Sequence, residues 1–180
     1  RGTRVRKMHT SRRDAFQSHG PPPVGTVTYP DLAISLTGDA VRRNTRTLAL
    51  ADRLEERCGL ISYYPGMDPA ILSHYAGYKG LVISGTGLGH VSSSLISRLR
   101  DLIADGMTVV MTSQCMNGRV CDRVYDTGRD LLNAGVIEGE DMLPEVALVK
   151  LMWVLANSSS AHQAREMMGE NLAGEINRRS

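Results

Sequence analysis

Residues 80–113 constrain the fold of this chain more than any other stretch. Two apolar runs, GLVISG (80–85) and MTVVMTS (107–113), show no polar–apolar alternation. A half-solvated strand alternates with period two, whereas a strand covered on both faces does not. Between them, VSSSLISRLRDLIADG (91–106) sets Leu95, Ile96, Leu99, Leu102 and Ile103 at helical spacing. Gly106 follows as the C-terminal stop. A strand, an amphipathic helix and a second buried strand predict a parallel sheet with helices on both faces.

The same grammar extends in both directions. CGLISYYPG (58–66) reads as a strand. DPAILSHYAGY (68–78) reads as a helix capped by Asp68, with Pro69 in its first position. Residues 127–135 predict a short helix closed by Gly135. Pro144 opens a helix over 143–157 that is apolar nearly all round and is therefore expected to be buried. Ser158–Ser160 signal the start of a last helix, and GEINRRS is expected to be an exposed tail. The fold class is α/β: a three-layer αβα arrangement with a small parallel sheet of about four strands. Upstream, VGTVTYP (24–30) and LAISLTG (32–38) flank Pro30-Asp31 and predict a β-hairpin. Residues 45–57 are read as helical from Leu50 onward. The three prolines at 21–23 break the chain, so 1–23 is read as a connector arm and 24–180 as the domain.

Composition narrows the function classes. The 42% apolar content supports a real core, and no apolar run approaches the length of a membrane span. The N-terminus has no apolar stretch of a secretory signal, and the lack of an initiator Met suggests a piece of a longer protein. A net charge of +2 argues against global nucleic-acid affinity. Arg1, Arg4, Arg6, Lys7, Arg12 and Arg13 nevertheless crowd the arm. They read as a solvated connector packing along a partner domain, or else as a phosphate-binding arm. Cys58, Cys115 and Cys121 have neither disulfide nor zinc spacing, which fits a reducing cytoplasm.

Chemistry in such sheets gathers at the carboxyl ends of strands. GTGLGH (85–90) is one such end, with spacing unlike the dinucleotide fingerprint G-x-G-x-x-G. Gly87 and Gly89 read either as a tight turn or as a backbone approach to a small polar ligand. His90 reads either as a ligand contact or as a helix-start cap. A second end holds Ser113, Gln114, Cys115 and Asn117, more small polar groups than a bare turn needs. Cys115 lacks the context of a nucleophile, so a non-covalent polar contact is the better reading. Glu138, Glu140, Asp141 and Glu145 form an acidic stretch in which Asp141 and Glu145 complement the dipole of the 143–157 helix. Tyr125-Asp126-Thr127 reads equally as an edge contact or as a reach toward another protomer. No self-contained catalytic apparatus emerges.

VRKMHTSRRDAF (5–16), GLVISGTGLGH (80–90), TSQCMNGRV (112–120), the stretch 125–157 and GENLAGEINRRS (169–180) resemble the asparaginase/glutaminase family. Within it they are most similar to the glutaminase subunits of archaeal glutamyl-tRNA(Gln) amidotransferases, with cytoplasmic type I L-asparaginases as the alternative. The resemblance implies an N-terminal catalytic domain carrying a threonine nucleophile, a threonine–aspartate turn and a lysine. None of those motifs occurs in this chain, so it is expected to be the C-terminal portion and to be inactive alone. The resemblance also implies a homodimer in which His90, with Gly87 and Gly89, contacts the substrate of the neighbouring protomer. Ser113, Gln114 and Cys115 fall where type I enzymes bind an effector amide. The implied activity is hydrolysis of glutamine, or of asparagine in the alternative. The ammonia would pass to the amidotransferase's other chain, its E subunit, which binds ATP and Mg and amidates Glu-tRNA(Gln). This domain itself would bind no cofactor and no metal, and would meet tRNA(Gln) only indirectly. A reading of another class remains: a free-standing small-ligand binding or interaction module.

Overall fold

Four parallel strands carry the domain in a computed structural model that describes residues 2–37 and 47–177. They are β5 (Cys58–Ser62), β6 (Gly80–Gly85), β7 (Thr108–Ser113) and β8 (Ile137–Glu138), in the order β5-β6-β7-β8. Ile83 of β6 pairs with Ile61 on one side and Met111 on the other. Every residue of β6 is buried, as its unbroken apolar run requires. Alternate residues serve opposite faces. Leu81, Ile83, Val109 and Met111 pack under α1 (Ser93–Ala104) and α2 (Asp126–Ala134). Val82 and Val110 pack under α3 (Pro144–Asn157) and α4 (Ala161–Gly169). The expected three-layer αβα arrangement is therefore present.

Local signals set the helix ends. Gly106 (φ +93°) closes α1: its N–H donates to Ile103 O at 2.9 Å, and Met107 N–H donates to Leu102 O at 3.0 Å. Gly135 (φ +98°) closes α2 in the same way, with Leu132 and Leu131 as acceptors. These paired bonds satisfy carbonyls that a helix end leaves open, and the left-handed residue costs least as glycine. Ser160 caps α4 by accepting from Gln163 N–H at 3.1 Å. Asp68 accepts from Ala70 N–H at 2.9 Å, but the helix it opens, Pro69–Tyr75, winds as a 3-10 helix.

Two antiparallel pairs precede the sheet. β3 (Gly25–Val27) and β4 (Ile34–Leu36) form the expected hairpin; Gly38, its last predicted residue, lies outside the described residues. β1 (Val5–Lys7) and β2 (Phe16–Ser18) form a ribbon within the segment read as an arm. That basic run is not uniformly solvated. Arg4 is buried, donating to Asp141 O and to Asp141 Oδ2, each at 2.8 Å. Arg1 lies outside the described residues.

Four expectations need correcting. Residues 50–57 are irregular rather than helical, and 45–46 lie outside the described residues. Their backbone is held by α3 instead: Glu55 N–H donates to Met152 O at 2.9 Å, and Trp153 Nε1 donates to Ala51 O at 2.8 Å. α3 is not covered all round, for Val149 is 59% exposed and lines an open apolar groove with Leu54, Val146, Trp153 and Leu172. The tail turns inward: Glu175 is buried and pairs with buried Lys150 at 2.7 Å, while 178–180 lie outside the described residues. Asp141 does not simply complement the dipole of α3. It accepts from Arg4 and from Asn177, whose N–H lies at 3.0 Å and whose Nδ2 lies at 2.8 Å. For residues 50–57, the tail and Asp141, a long-range partner outweighs a local preference of a few tenths of a kcal/mol, roughly the size of such propensities.

Candidate functional site

Parallel strands in register deliver their loops to one edge, so the ends of β5, β6 and β7 lie side by side. The loop after β6 is tight. Thr86 N–H donates to His90 O at 3.0 Å, and His90 N–H donates to Thr86 O at 2.9 Å. Gly87 and Gly89 take φ values of +52° and +105°. A Cβ on Gly89 would stand 2.8 Å from Val120 Cγ1 and 3.0 Å from Met111 Cγ, so this position admits only glycine without rearrangement. A Cβ on Gly87 meets nothing within 4 Å. The close approach at Gly89 seats His90 against the domain.

The His90 side chain is half-buried, and its Nε2 is buried without a hydrogen-bond partner among the described residues. Tyr125 stands edge-on to it, with ring centres 5.0 Å apart and planes at 76°. Tyr125 remains 57% exposed, so the pair sits at the surface of the rim.

The loop after β7 completes the rim. Gln114 N–H donates to Gly85 O at 2.8 Å. The Ser113 hydroxyl donates to the Gly87 carbonyl and accepts from Cys115 N–H at 3.0 Å. Gln114 Nε2 donates to the carbonyls of Tyr63 and Ser84, the latter at 2.9 Å, and so ties the ends of β5, β6 and β7 together. The two polar clusters singled out in the sequence are thus one continuous rim. Within it the donors of Ser113 and Gln114 are engaged by the chain itself, while Cys115 is exposed.

Behind the rim lies a group that the sequence does not single out. Cys121 N–H donates to Leu88 O at 3.0 Å, which draws the next residue, Asp122, under the His90 loop. Asp122 is wholly buried, and neither of its carboxyl oxygens has a hydrogen-bond partner among the described residues. Its N–H donates to Glu138 Oε1 at 3.0 Å. Burial first, and the charge of Glu138 second, push the Asp122 carboxyl up to about 7. The one signal in the sequence is an acid within GRVCDRV, directly after a strand-end loop. Spacing alone marks Glu138 only as part of an acidic stretch and does not decide the role of Tyr125.

Other chemistry is sparse. The Cys58 thiol is pushed up to about 11 by burial and by the nearby Glu55 charge, which disfavours the thiolate. Among the described residues, no group of three or more His, Cys, Asp or Glu is placed to hold a metal ion. No helix among them is long and apolar enough to cross a membrane.

Comparison with known proteins places this geometry. The chain is 58% identical over 178 residues to the D subunit of the glutamyl-tRNA(Gln) amidotransferase of Archaeoglobus fulgidus, covering 98% of this chain and 42% of that one. It is 55% identical over 179 residues to the corresponding D subunit of Methanosarcina mazei, with the same coverage. The chain therefore spans about two-fifths of the length of these relatives. Among solved structures, the thermostable L-asparaginase of Thermococcus kodakarensis superposes with a TM-score of 0.85 at 33% identity, covering 98% of this chain and 54% of that one. L-asparaginase I of Vibrio cholerae gives the same TM-score and coverage at 28% identity. The motif resemblance thus holds across nearly the whole chain. Residues 57–168, which include the whole four-stranded sheet, match the model of the glutaminase/asparaginase C-terminal domain, and the chain belongs to that family.

Proposed function

We propose that this chain is the C-terminal domain of the glutaminase subunit of a tRNA-dependent amidotransferase, and that it presents the His90 rim to the amide site of a neighbouring protomer in a homodimer. Identity of 58% to an archaeal D subunit over 98% of the chain carries this reading. The geometry supports it: His90 stands half-buried at the rim, and Gly87 leaves the approach open. The chain contributes binding and orientation. The threonine nucleophile belongs to an N-terminal catalytic domain outside this sequence. Glutamine is hydrolysed there to glutamate and ammonia, and the ammonia serves the E subunit of the amidotransferase. That partner holds ATP and Mg and amidates Glu-tRNA(Gln) in the cytoplasm, so this domain meets tRNA only indirectly.

Two assays test the proposal. Joined to the upstream segment of its own gene, the chain is expected to hydrolyse glutamine and to support ATP-dependent amidation of Glu-tRNA(Gln) with the E subunit. The 180 residues alone are expected to do neither, and glutamine hydrolysis by them alone refutes the assignment. His90→Ala in the joined protein is expected to raise KM more than it lowers kcat, as loss of a binding contact does.

The alternative, a type I L-asparaginase, is favoured by one observation: both asparaginase structures superpose at a TM-score of 0.85. Preference for asparagine, with no complex formed with the E subunit, would select it. An effector amide at Ser113, Gln114 and Cys115 would have to displace the Ser113–Gly87 and Gln114–Tyr63 hydrogen bonds or use the exposed Cys115 edge. Calorimetric titration of the joined protein with asparagine and glutamine measures whether it binds.

A further inference from the structure

The least explained group in the domain is Asp122. Ionised carboxylates are rarely buried without donors, because burial removes several kcal/mol of hydration that nothing replaces. Here the whole residue is out of solvent and both carboxyl oxygens lack partners among the described residues. The pocket around it is close-fitting. A Cβ at Gly89 would stand 3.4 Å from Oδ1, an ordinary contact distance, so the carboxyl lies directly against the His90 loop. A Cβ at Gly128, in the first turn of α2, would collide with the Asp122 backbone. Asp122 is therefore clamped between the His90 loop and the start of the helix that follows Tyr125.

The charges around it can be taken element by element. The 86–90 loop brings His90, which is set edge-on to Tyr125. β8 brings Glu138, whose Oε1 accepts from Asp122 N–H at 3.0 Å. The segment of Asp122 itself brings Arg123, an exposed side chain 3.7 Å from Glu138 Oε2. The first turn of α2 brings Asp126 and Arg129, which pair with each other at the surface. Glu138 thus has a cationic neighbour, while the Asp122 carboxyl has no partner among the described residues.

We propose that Asp122 is a positioning residue for the His90–Tyr125 corner, and that its carboxyl holds the corner in the protonated form while Glu138 carries the single negative charge of the pair. Losing that proton puts a second charge beside Glu138 in a space that offers no donor. The corner then has to open or rearrange to admit water. The rim presented to an amide is proton-dependent through a group that does not touch the amide. Only the link to substrate rests on the function proposed above; the behaviour of the carboxyl does not.

The sign of the effect on stability follows from the upward shift. The folded state binds more protons than the unfolded state between the ordinary aspartate value of 3.8 and about 7. Stability therefore falls as pH rises through that window and levels off above it. A folded-state signal beside the carboxyl instead changes with a midpoint near the upper end.

The test uses the full chain and its Asp122→Asn variant, which keeps the shape and removes the charge. Thermal melting is followed from about pH 4.5 to 8.5, a range that brackets the upper end of the window, together with the NMR shift of the Gly89 amide. The variant is expected to melt increasingly above wild type up to about pH 7, by roughly 5 °C or more at the plateau. The Gly89 amide of wild type is expected to shift with a midpoint near 7 and that of the variant to lack this step. Glu138→Gln is expected to lower the wild-type midpoint by removing the neighbouring charge. Melting curves that stay parallel at every pH, or a Gly89 step shared by both proteins, overturn the proposal. If the Asn variant does not fold, carboxyl-carbon NMR of wild type decides: a midpoint near about 7 for Asp122 sustains the proposal, and one near about 4 overturns it.

Discussion

The imidazole of His90 stands edge-on to the phenol of Tyr125, with ring centres 5.0 Å apart, although 34 residues of chain lie between them. Edge-to-face pairs of this kind contribute about 0.5–1.5 kcal/mol beyond the area they bury. Tyr125→Ala is expected to cost about 1 kcal/mol or less, because the ring is half in solvent, and to broaden the His90 ring resonances. Tyr125→Phe, which keeps the contact, is expected to leave both unchanged. Denaturant unfolding and imidazole NMR measure the two effects.

Gly87 and Gly89 lie two residues apart in one loop but are not equivalent. Gly89→Ala adds a Cβ against Val120 and Met111 at a φ of +105°. It is expected to cost about 3 kcal/mol from steric overlap and left-handed strain together. Gly87→Ala meets open space at a φ of +52° and is expected to cost about 1 kcal/mol. Equal losses in urea unfolding would refute the packing role assigned to Gly89.

Arg4 and Asp141 are 2% and 3% exposed at their side chains and fasten the N-terminal ribbon to the sheet domain. Removing one member of a buried pair leaves the other uncompensated, at a cost of about 3–5 kcal/mol. Arg4→Met and Asp141→Asn are each expected to fall in that range, and the double variant is expected to lose much less than their sum. A double-mutant cycle by chemical denaturation reads the coupling.

Glu175 and Lys150 make the second buried pair, and acid should expose it. Burial raises the Glu175 pKa, but Lys150 and the N–H groups of Leu172 and Ala173 outweigh that, and the net direction is below the ordinary 4.5. A lowered carboxyl pKa adds stability that is fully present above the unfolded value and is lost as pH falls through the folded one. Glu175→Gln is therefore expected to be clearly less stable than wild type at pH about 7, with the gap closing below about pH 4.5. A gap that is independent of pH would show that the pair is not ionic.

Most helix and strand identities along 58–169 were legible because they rest on short-range signals; the two-residue strand β8 and the 3-10 winding of Pro69–Tyr75 were not. The apolar run of β6, the stops at Gly106 and Gly135, Pro144, and the caps at Asp68 and Ser160 each act within a few residues. The glycine loop and the Ser113–Cys115 segment were legible as strand ends for the same reason. Residues 50–57 failed because their backbone partners lie about a hundred residues downstream on α3, where no local spacing records them.

The sequence by itself determined the class of the domain, its parallel sheet, the strand-end loops and the family to which it belongs. Tertiary structure alone decided which polar groups share a site. It joined Ser113 to Gly87, set Tyr125 against His90, and buried Arg4 on Asp141 and Glu175 on Lys150. It also placed Asp122 beneath the His90 loop with no partner for its carboxyl among the described residues. The physical reason is range. Periodicity and capping are properties of neighbouring residues, whereas the burial and pairing of a charge depend on what the folded chain brings alongside it.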